Sequence, residues 1–373
     1  MGGALRNDLA GSPRAQHSGD MRDESDTEGV GWQEGGELAA RARVLAGALV
    51  RRIEAEGALT DPAWRAAFEA VPRHLFVPYY HVPRVGGYER RRRDAPDPLG
   101  REMWLTGVYE DEPLATLVRD GEPVSSSSQP SLMAMMLEEL RVEDGMDVLE
   151  IGTGTGWNAA LLAHRLGDEH VTTVDLDPEI TEEARKRLAA AGRRPAVVTG
   201  DGARGCPERG PYDRIIATCA LDTVPPEWLA QCRPGARVLT PMATGLLALR
   251  VTDAEHAEGR FLETPAYFVP LRGDVPPRPR IDPGDLPREA LRTESFGFLL
   301  SLIGGGPDPA ATYEAWRRAG RPDRARYGVT VRGGEQWAWL DDPEGPNRWP
   351  LTTGRPRGRA AGPAGPGVSP GAG

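Results

Sequence analysis

Residues 148–162 read VLEIGTGTGWNAALL. An apolar run ends at Ile151, glycine recurs at Gly152, Gly154 and Gly156, and a helically spaced apolar run starts at Trp157. Strand, tight turn and helix in that order constrain the fold more than any other stretch of the chain. Glycine tolerates the backbone of a sharp turn and lets a ligand approach closely. The helix that follows leaves its first N–H groups unpaired, so its start favours an electron-rich ligand. Dinucleotide-binding folds share such a loop, so it specifies an α/β sheet with a ligand at its edge rather than one cofactor.

The downstream pattern agrees. HVTTVDLD (170–177), PAVVTGD (195–201), YDRIIATC (212–219), ARVLTPM (236–242) and GLLALRVTD (245–253) read as strands, with PEITEEARKRLAAAG and VPPEWLAQC as helices between them. Strands alternating with helices predict a mostly parallel sheet covered on both faces. This core is expected over 125–272. Upstream, Leu38, Ala42, Leu45, Leu49 and Ile53 recur every three or four residues and predict a helix ended near Gly57. Asp61 and Pro62 predict the start of a second, with Trp64 and Phe68 inward. A helix is expected over 131–140. Residues 81–100, with the run Arg90–Arg93, are expected to be an irregular solvated loop, and 104–124 loop with short extended pieces. Together 36–124 form an N-terminal helical and loop region. Residues 273–295, rich in Pro and Arg, read as a connection. Phe296, Phe298, Leu299 and Leu302 suggest one helix, Tyr313 and Trp316 another, and Gly333-Gly334 a hairpin. A small C-terminal subdomain is expected over 280–350. Residues 1–35 and 351–373 lack apolar periodicity and are expected to be disordered tails.

The formal charge is −10, which argues against nucleic acid as a standing partner. No run of about 18 apolar residues suggests a membrane span, and the N-terminus lacks the apolar stretch of a signal peptide, so a cytoplasmic protein is expected. Cys206, Cys219 and Cys232 show no CxxC spacing, and the histidines show no ligand spacing, so no disulfide framework and no metal site are expected.

Two acidic positions narrow the ligand. Asp175 and Asp177 end the second strand about 20 residues past the glycines, where a carboxylate holds ribose hydroxyls. Asp201 and Gly202 end the third, where adenine would lie. With Glu150 just before the loop, the set suits S-adenosylmethionine better than NAD. A charge-relay hydrolase and a P-loop are unsupported, because neither G-x-S-x-G nor G-x-x-x-x-G-K-[ST] occurs.

Several spaced stretches then agree in order: VPRHLFVP (71–78), YEDEPL (109–114), SSSQP (126–130), VLEIGTGTGWNAALLA (148–163), VTTVDLDPE (171–179), PYDRIIATCA (211–220) and PPEWLAQCRPGARVLTPM (225–242). Over residues 40–245 the chain resembles the protein-L-isoaspartate O-methyltransferase family. The resemblance implies a class I S-adenosylmethionine-dependent methyltransferase (Rossmann-like) with a seven-stranded sheet, N-terminal helices and a small C-terminal extension. It implies a carboxyl O-methyltransferase acting on the free α-carboxylate of isoaspartyl residues in damaged protein. It assigns the catalytic hydroxyls to Ser126 and Ser128, and Ser127, Gln129 and Pro130 to the substrate. Ser127 stands where the family usually has an apolar residue. The resemblance assigns Glu150, Gly152, Thr153, Gly154 and Gly156 to the methionyl part of the cofactor, Asp175 and Leu176 to ribose, and Asp201 with Gly202 to adenine. It gives Asp213 a structural part.

A carboxylate with a pKa near 4 is already ionised at neutral pH, so methyl transfer to it requires positioning rather than a strong base. The methyl ester can close to a succinimide when the neighbouring amide nitrogen attacks it. The extended chain also looks like bacterial relatives that methylate a chosen aspartate in a ribosomally made, lanthipeptide-like precursor, giving an aspartimide. The expected partner is thus an isoaspartyl protein or a modified precursor peptide. A non-catalytic peptide-binding protein and an NAD-linked oxidoreductase are the alternatives from other classes.

Overall fold

The computed structural model describes residues 36–273, 286–304 and 308–351. The two expected tails, apart from Leu351, lie outside these. The N-terminal region contains α1 (Gly36–Ala55), α2 (Pro62–Ala70), β1 (Tyr79–Arg84), β2 (Gly87–Arg92), α3 (Pro98–Val108), β3 (Leu114–Arg119), β4 (Glu122–Ser127) and α4 (Pro130–Leu140). The Asp61 side chain accepts from the Ala63 N–H at 2.7 Å and caps α2, as the sequence predicts. The structure corrects the reading of 81–100. These residues form a β1–β2 hairpin with Arg84 paired to Gly87 and continue into α3, whose start is capped by Asp97 accepting from Gly100 N–H at 2.7 Å. Pro83 and the arginine run mask the strand pattern in the sequence. Residues 104–124 hold the rest of α3 and the β3–β4 hairpin. The four strands form one antiparallel sheet in the order β2-β1-β3-β4.

The core follows with β5 (Val148–Ile151), α5 (Trp157–Leu166), β6 (Val171–Asp175), α6 (Pro178–Ala190), β7 (Ala196–Thr199), β8 (Tyr212–Ala217), α7 (Pro226–Ala230), β9 (Cys232–Met242), β10 (Gly245–Asp253) and β11 (His256–Pro265). The last strand carries no clear alternation and escaped the sequence reading. The C-terminal segment contributes α8 (Arg288–Arg292), α9 (Glu294–Ile303), α10 (Pro309–Arg318), β12 (Tyr327–Arg332), β13 (Glu335–Leu340) and β14 (Arg348–Pro350). The large sheet runs β14-β13-β12-β11-β10-β9-β8-β5-β6-β7. β9, β8, β5, β6 and β7 are parallel, and the pairings from β9 to β14 are antiparallel. The seven strands β5–β11 are the expected methyltransferase sheet. Residues 327–350 extend it by three strands, because β12 pairs directly with β11.

Successive side chains of a strand project to opposite faces. Val148, Ile216, Leu239 and Leu246 join the N-terminal helices, α4 and α5 in one apolar cluster. Their neighbours Leu149, Ile215, Val238 and Leu247 join Phe296, Phe298, Tyr313, Trp316 and Tyr327 in the other. No helix among the described residues is long and apolar enough to cross a membrane.

Candidate active site

β5 and β8 lie side by side, yet the chain leaves β5 for β6 and β7 on one side and returns to β8 on the other. Loops diverge at such a switch point and open a crevice at the carboxyl ends of the strands, where open α/β sheets hold ligands. The cavity found there is lined by Glu150–Thr155, Val174–Leu176, Gly202, Thr218 and Cys219, and also by Val124–Ser128 and Val269–Arg272.

Beneath the glycine turn lies a buried polar network. Glu150 is fully buried and accepts from Asn158 Nδ2 at 2.7 Å and from the Thr173 hydroxyl at 2.6 Å. Thr173 has then used its proton, so the 2.8 Å contact with Thr153 has the Thr153 hydroxyl as donor. Burial pushes the Glu150 carboxyl up to about 7, with the two hydrogen bonds opposing and Asp175 adding to the rise. Asn158 Oδ1 is buried beside the cavity without a hydrogen-bond partner among the described residues. Asp175 is 8% exposed; one oxygen accepts from Gly154 N–H at 3.1 Å and the other lies 3.7 Å from Arg272 Nη2.

The three glycines do different work. Gly152 has φ 97°, and a Cβ there would lie 2.5 Å from Thr218 Oγ1, which donates to the Gly152 carbonyl at 2.8 Å. Gly154 faces the cavity; a Cβ would stand 3.5 Å from the Ser126 carbonyl oxygen. Gly156 does not line the cavity, and its missing side chain lets α5 approach Ala184 and Leu188 of α6. Among the other expected cofactor residues, Thr153, Leu176 and Gly202 line the cavity. Asp201 does not, because its carboxylate accepts from Ala203 N–H at 2.9 Å and caps a short 3₁₀ turn.

The serine run is sorted by which of its members also reach the neighbouring groove. Ser126 and Ser128 are half-buried and line both this cavity and a neighbouring groove of about 650 Å³. Ser127 borders the cavity but not the groove; it is 3% exposed, and its hydroxyl accepts from Arg73 Nε at 3.2 Å. Arg73 is itself buried and donates to the carbonyls of Val108, Glu110, Glu112, Ser127 and Ser128. That set explains a polar residue at position 127, and it tethers the serine strand to the end of α3. Burial lowers the Arg73 pKa to about 9, opposed by Asp111, so the guanidinium stays charged at neutral pH. Gln129 lines the groove and donates from Nε2 to Asp111 at 3.1 Å. Asp111 also caps α4 through Ser131 N–H at 2.8 Å. Pro130 is buried at the first turn of α4 and does not line the groove. Asp213 accepts from the Asp147 N–H and pairs with Arg233, a structural arrangement.

Arg73, Asp111, Asn158, Thr218 and Arg272 escaped the sequence reading. Arg73 and Asp111 lie inside VPRHLFVP and YEDEPL, so the signal was present without a role attached. Arg272 ends a segment with no periodicity. Cys219 borders the cavity, but burial pushes its thiol up to about 12 and keeps it protonated. No group of three or more His, Cys, Asp or Glu side chains among the described residues is placed to hold a metal ion.

The sequence profile of the protein-L-isoaspartate(D-aspartate) O-methyltransferases matches residues 45–275. A protein-L-isoaspartate O-methyltransferase of Hyperthermus butylicus is 35% identical over 239 residues, spanning 61% of this chain and 88% of that protein. One of Thermococcus onnurineus is 36% identical over 231 residues, spanning 60% and 92%. A solved protein-L-isoaspartate O-methyltransferase structure superposes with a TM-score of 0.54 at 24% identity, over 77% of this chain and 96% of the other, a likeness of fold. The profile match spans most of the chain and includes the glycine turn, Asp175 and the serine strand; the chain belongs to the protein-L-isoaspartate(D-aspartate) O-methyltransferase family.

Proposed function

We propose that the protein methylates the free carboxylate of an isoaspartyl or aspartyl residue in a peptide held in the groove beside β4. One observation carries this reading: Ser126, Ser128 and Val269 line both the cofactor cavity and the groove, so the two spaces meet at a wall that bears hydroxyls. S-adenosylmethionine is the methyl donor of this family. The cavity suits it: the glycine turn offers backbone, Asp175 offers a carboxylate to ribose, and Asn158 Oδ1 and Glu150 offer acceptors to a cationic end. When bound, the donor supplies an electrophilic methyl group.

The chain's own residues do the rest by positioning. The groove lining includes no Lys, Arg or His among the described residues. A carboxylate there meets hydroxyls and the Gln129 amide rather than a neutralising cation, and the one acid among the described lining residues, Glu56, is paired with Arg52 at 3.2 Å. Donors of this kind aim one oxygen while leaving the other nucleophilic, whereas a tight ion pair would stabilise the ground state as well. Asp111 and Arg73 hold Gln129 and the serine strand in place from behind. A groove of this volume is in the range that holds a small ligand, so it takes the carboxylate together with neighbouring residues.

Repair of isoaspartyl damage and tailoring of a ribosomally made peptide share this chemistry and differ in the peptide presented. Incubation with S-adenosylmethionine and either an isoaspartyl peptide or a cyclised aspartyl precursor, followed by mass analysis, tests the reading. A methyl gain, or net loss of water through succinimide, is the expected result on one of them. Absence of both on either peptide, with S-adenosylmethionine bound, would overturn it.

A further inference from the structure

The run Arg90–Arg93 takes no part in the site described above, yet the register of its sheet leads there. Arg90 pairs with His81, His81 with Ala115, and Ala115 with Ser126. Residues paired across antiparallel strands project from the same face. One rung therefore connects an exposed arginine on the edge strand β2 to the serine at the wall between cavity and groove. Three inter-strand steps of about 4.8 Å separate its ends by about 14 Å.

The same face carries Tyr79 opposite Arg92 and Pro83 opposite Tyr88. Tyr79 and His81 meet edge-on at 5.9 Å, His81 and Tyr88 at 6.4 Å, and the Arg90 guanidinium stands 5.4 Å from the Tyr79 ring centre. The reverse face is the covered one: Tyr80 is 3% exposed there and reaches the Met103 carbonyl of α3. The charges are sorted too. On the reverse face Glu89 pairs with Arg84 at 2.7 Å and Arg91 at 3.9 Å. On the open face Arg90 has no carboxylate partner among the described residues, and Arg92 has the exposed Asp94 at 3.5 Å. An aromatic and cationic strip thus stands on a chain whose formal charge is −10.

We infer that this face docks an acidic segment of the substrate peptide, about four residues from the residue presented to Ser126, since an extended chain covers about 14 Å in that length. The inference rests on the carboxyl methyltransferase reading and names a recognition element for it. Arginine over aromatic rings also suits single-stranded nucleic acid. The strip leads to the groove where the substrate peptide is proposed to lie, so an acidic stretch of that same peptide is the better occupant.

The test uses the full chain and fluorescent isoaspartyl peptides carrying a short glutamate tract about four residues from the isoaspartate, the same tract adjacent to it, or a glutamine tract. Binding is read by anisotropy and turnover by methyl transfer. The distant glutamate tract should bind about tenfold more tightly than the glutamine tract, and high salt should erase the gain. Arg90→Gln with Arg92→Gln should erase it too, leaving S-adenosylmethionine affinity and turnover of the glutamine peptide unchanged. Equal binding of glutamate and glutamine peptides would overturn the inference, as would a preference that survives the double substitution. Tighter binding of a length-matched oligouridylate would overturn it in favour of nucleic acid. The salt dependence of the unmodified protein needs no variant, so a poorly folding double mutant leaves a decisive measurement. A glutamate preference in binding without transfer to any peptide supports the strip and removes the methyl-transfer reading. Transfer to every peptide without a preference does the reverse.

Discussion

Glu150 lines the cavity at a cost to the fold. Its carboxyl is fully buried and raised to about 7, above the usual 4.5, chiefly by burial. The folded state therefore favours the protonated form. The stability it contributes is greatest below the unfolded pKa and is lost as pH rises through the folded one. The penalty above neutral pH is on the order of 3 kcal/mol. Glu150→Gln should raise the melting temperature at about pH 8 and leave it nearly unchanged near pH 4.5, as differential scanning calorimetry would show. The same substitution should weaken S-adenosylmethionine binding about tenfold, because the ionised carboxylate favours a cationic ligand. Gly154 has φ 51° and faces the cavity. Gly154→Val imposes a left-handed strain of about 1–2 kcal/mol, which leaves the protein folded, but puts a side chain where the ligand must approach. Calorimetry should show no cofactor binding; normal binding would remove the turn from the site.

At the level of elements, the β3–β4 hairpin borders both the cavity and the groove. It carries the serine strand and turns at Asp120 and Gly121, both with positive φ. Near its tip Arg119 reaches across to Asp177 at 3.0 Å and Glu179 at 3.4 Å, at the start of α6. The hairpin is thereby tied to the helix that follows Asp175. Arg119 is about half exposed, and pairs of this kind contribute roughly 0.2–1 kcal/mol. Arg119→Ala should raise the KM for S-adenosylmethionine by no more than about fivefold, with kcat unchanged and the difference shrinking in high salt. A large fall in kcat instead would mean that Arg119 positions the serines.

For the whole molecule, the C-terminal segment is part of the main sheet. β12 pairs with β11 along Arg260–His256, and Phe298 stacks edge-on against Phe261 at 4.9 Å. Deleting residues 286–351 would expose that cluster and the edge of β11. Loss of a cooperative thermal transition is the expected result; an intact transition with altered peptide preference would make the segment a recognition module. Much of the architecture was legible beforehand. The alternation of apolar strands and helices from Val148 to Asp253 predicts the parallel sheet, and the Asp61-Pro62 cap and the Gly333-Gly334 turn are local signals that structure repeats. Such features depend on backbone preference and period, which neighbouring residues specify. The glycine turn and Asp175 were legible for the same reason. Other features were not. In VSSSSQP the resemblance singles out Ser126 and Ser128, but the pairing of Ser127 with Arg73, a residue more than fifty positions away, depends on how β4 packs. Asp201 and Gly156 are themselves expected cofactor positions, yet Asp201 caps a turn and Gly156 admits a helix. The arginine run becomes a strip only when β1, β2, β3 and β4 are set in register. Local sequence states which strands, turns and helices form. Which side chains share a face, and which carbonyls a buried arginine gathers, follows from contacts between segments far apart in the chain, and no local period encodes them.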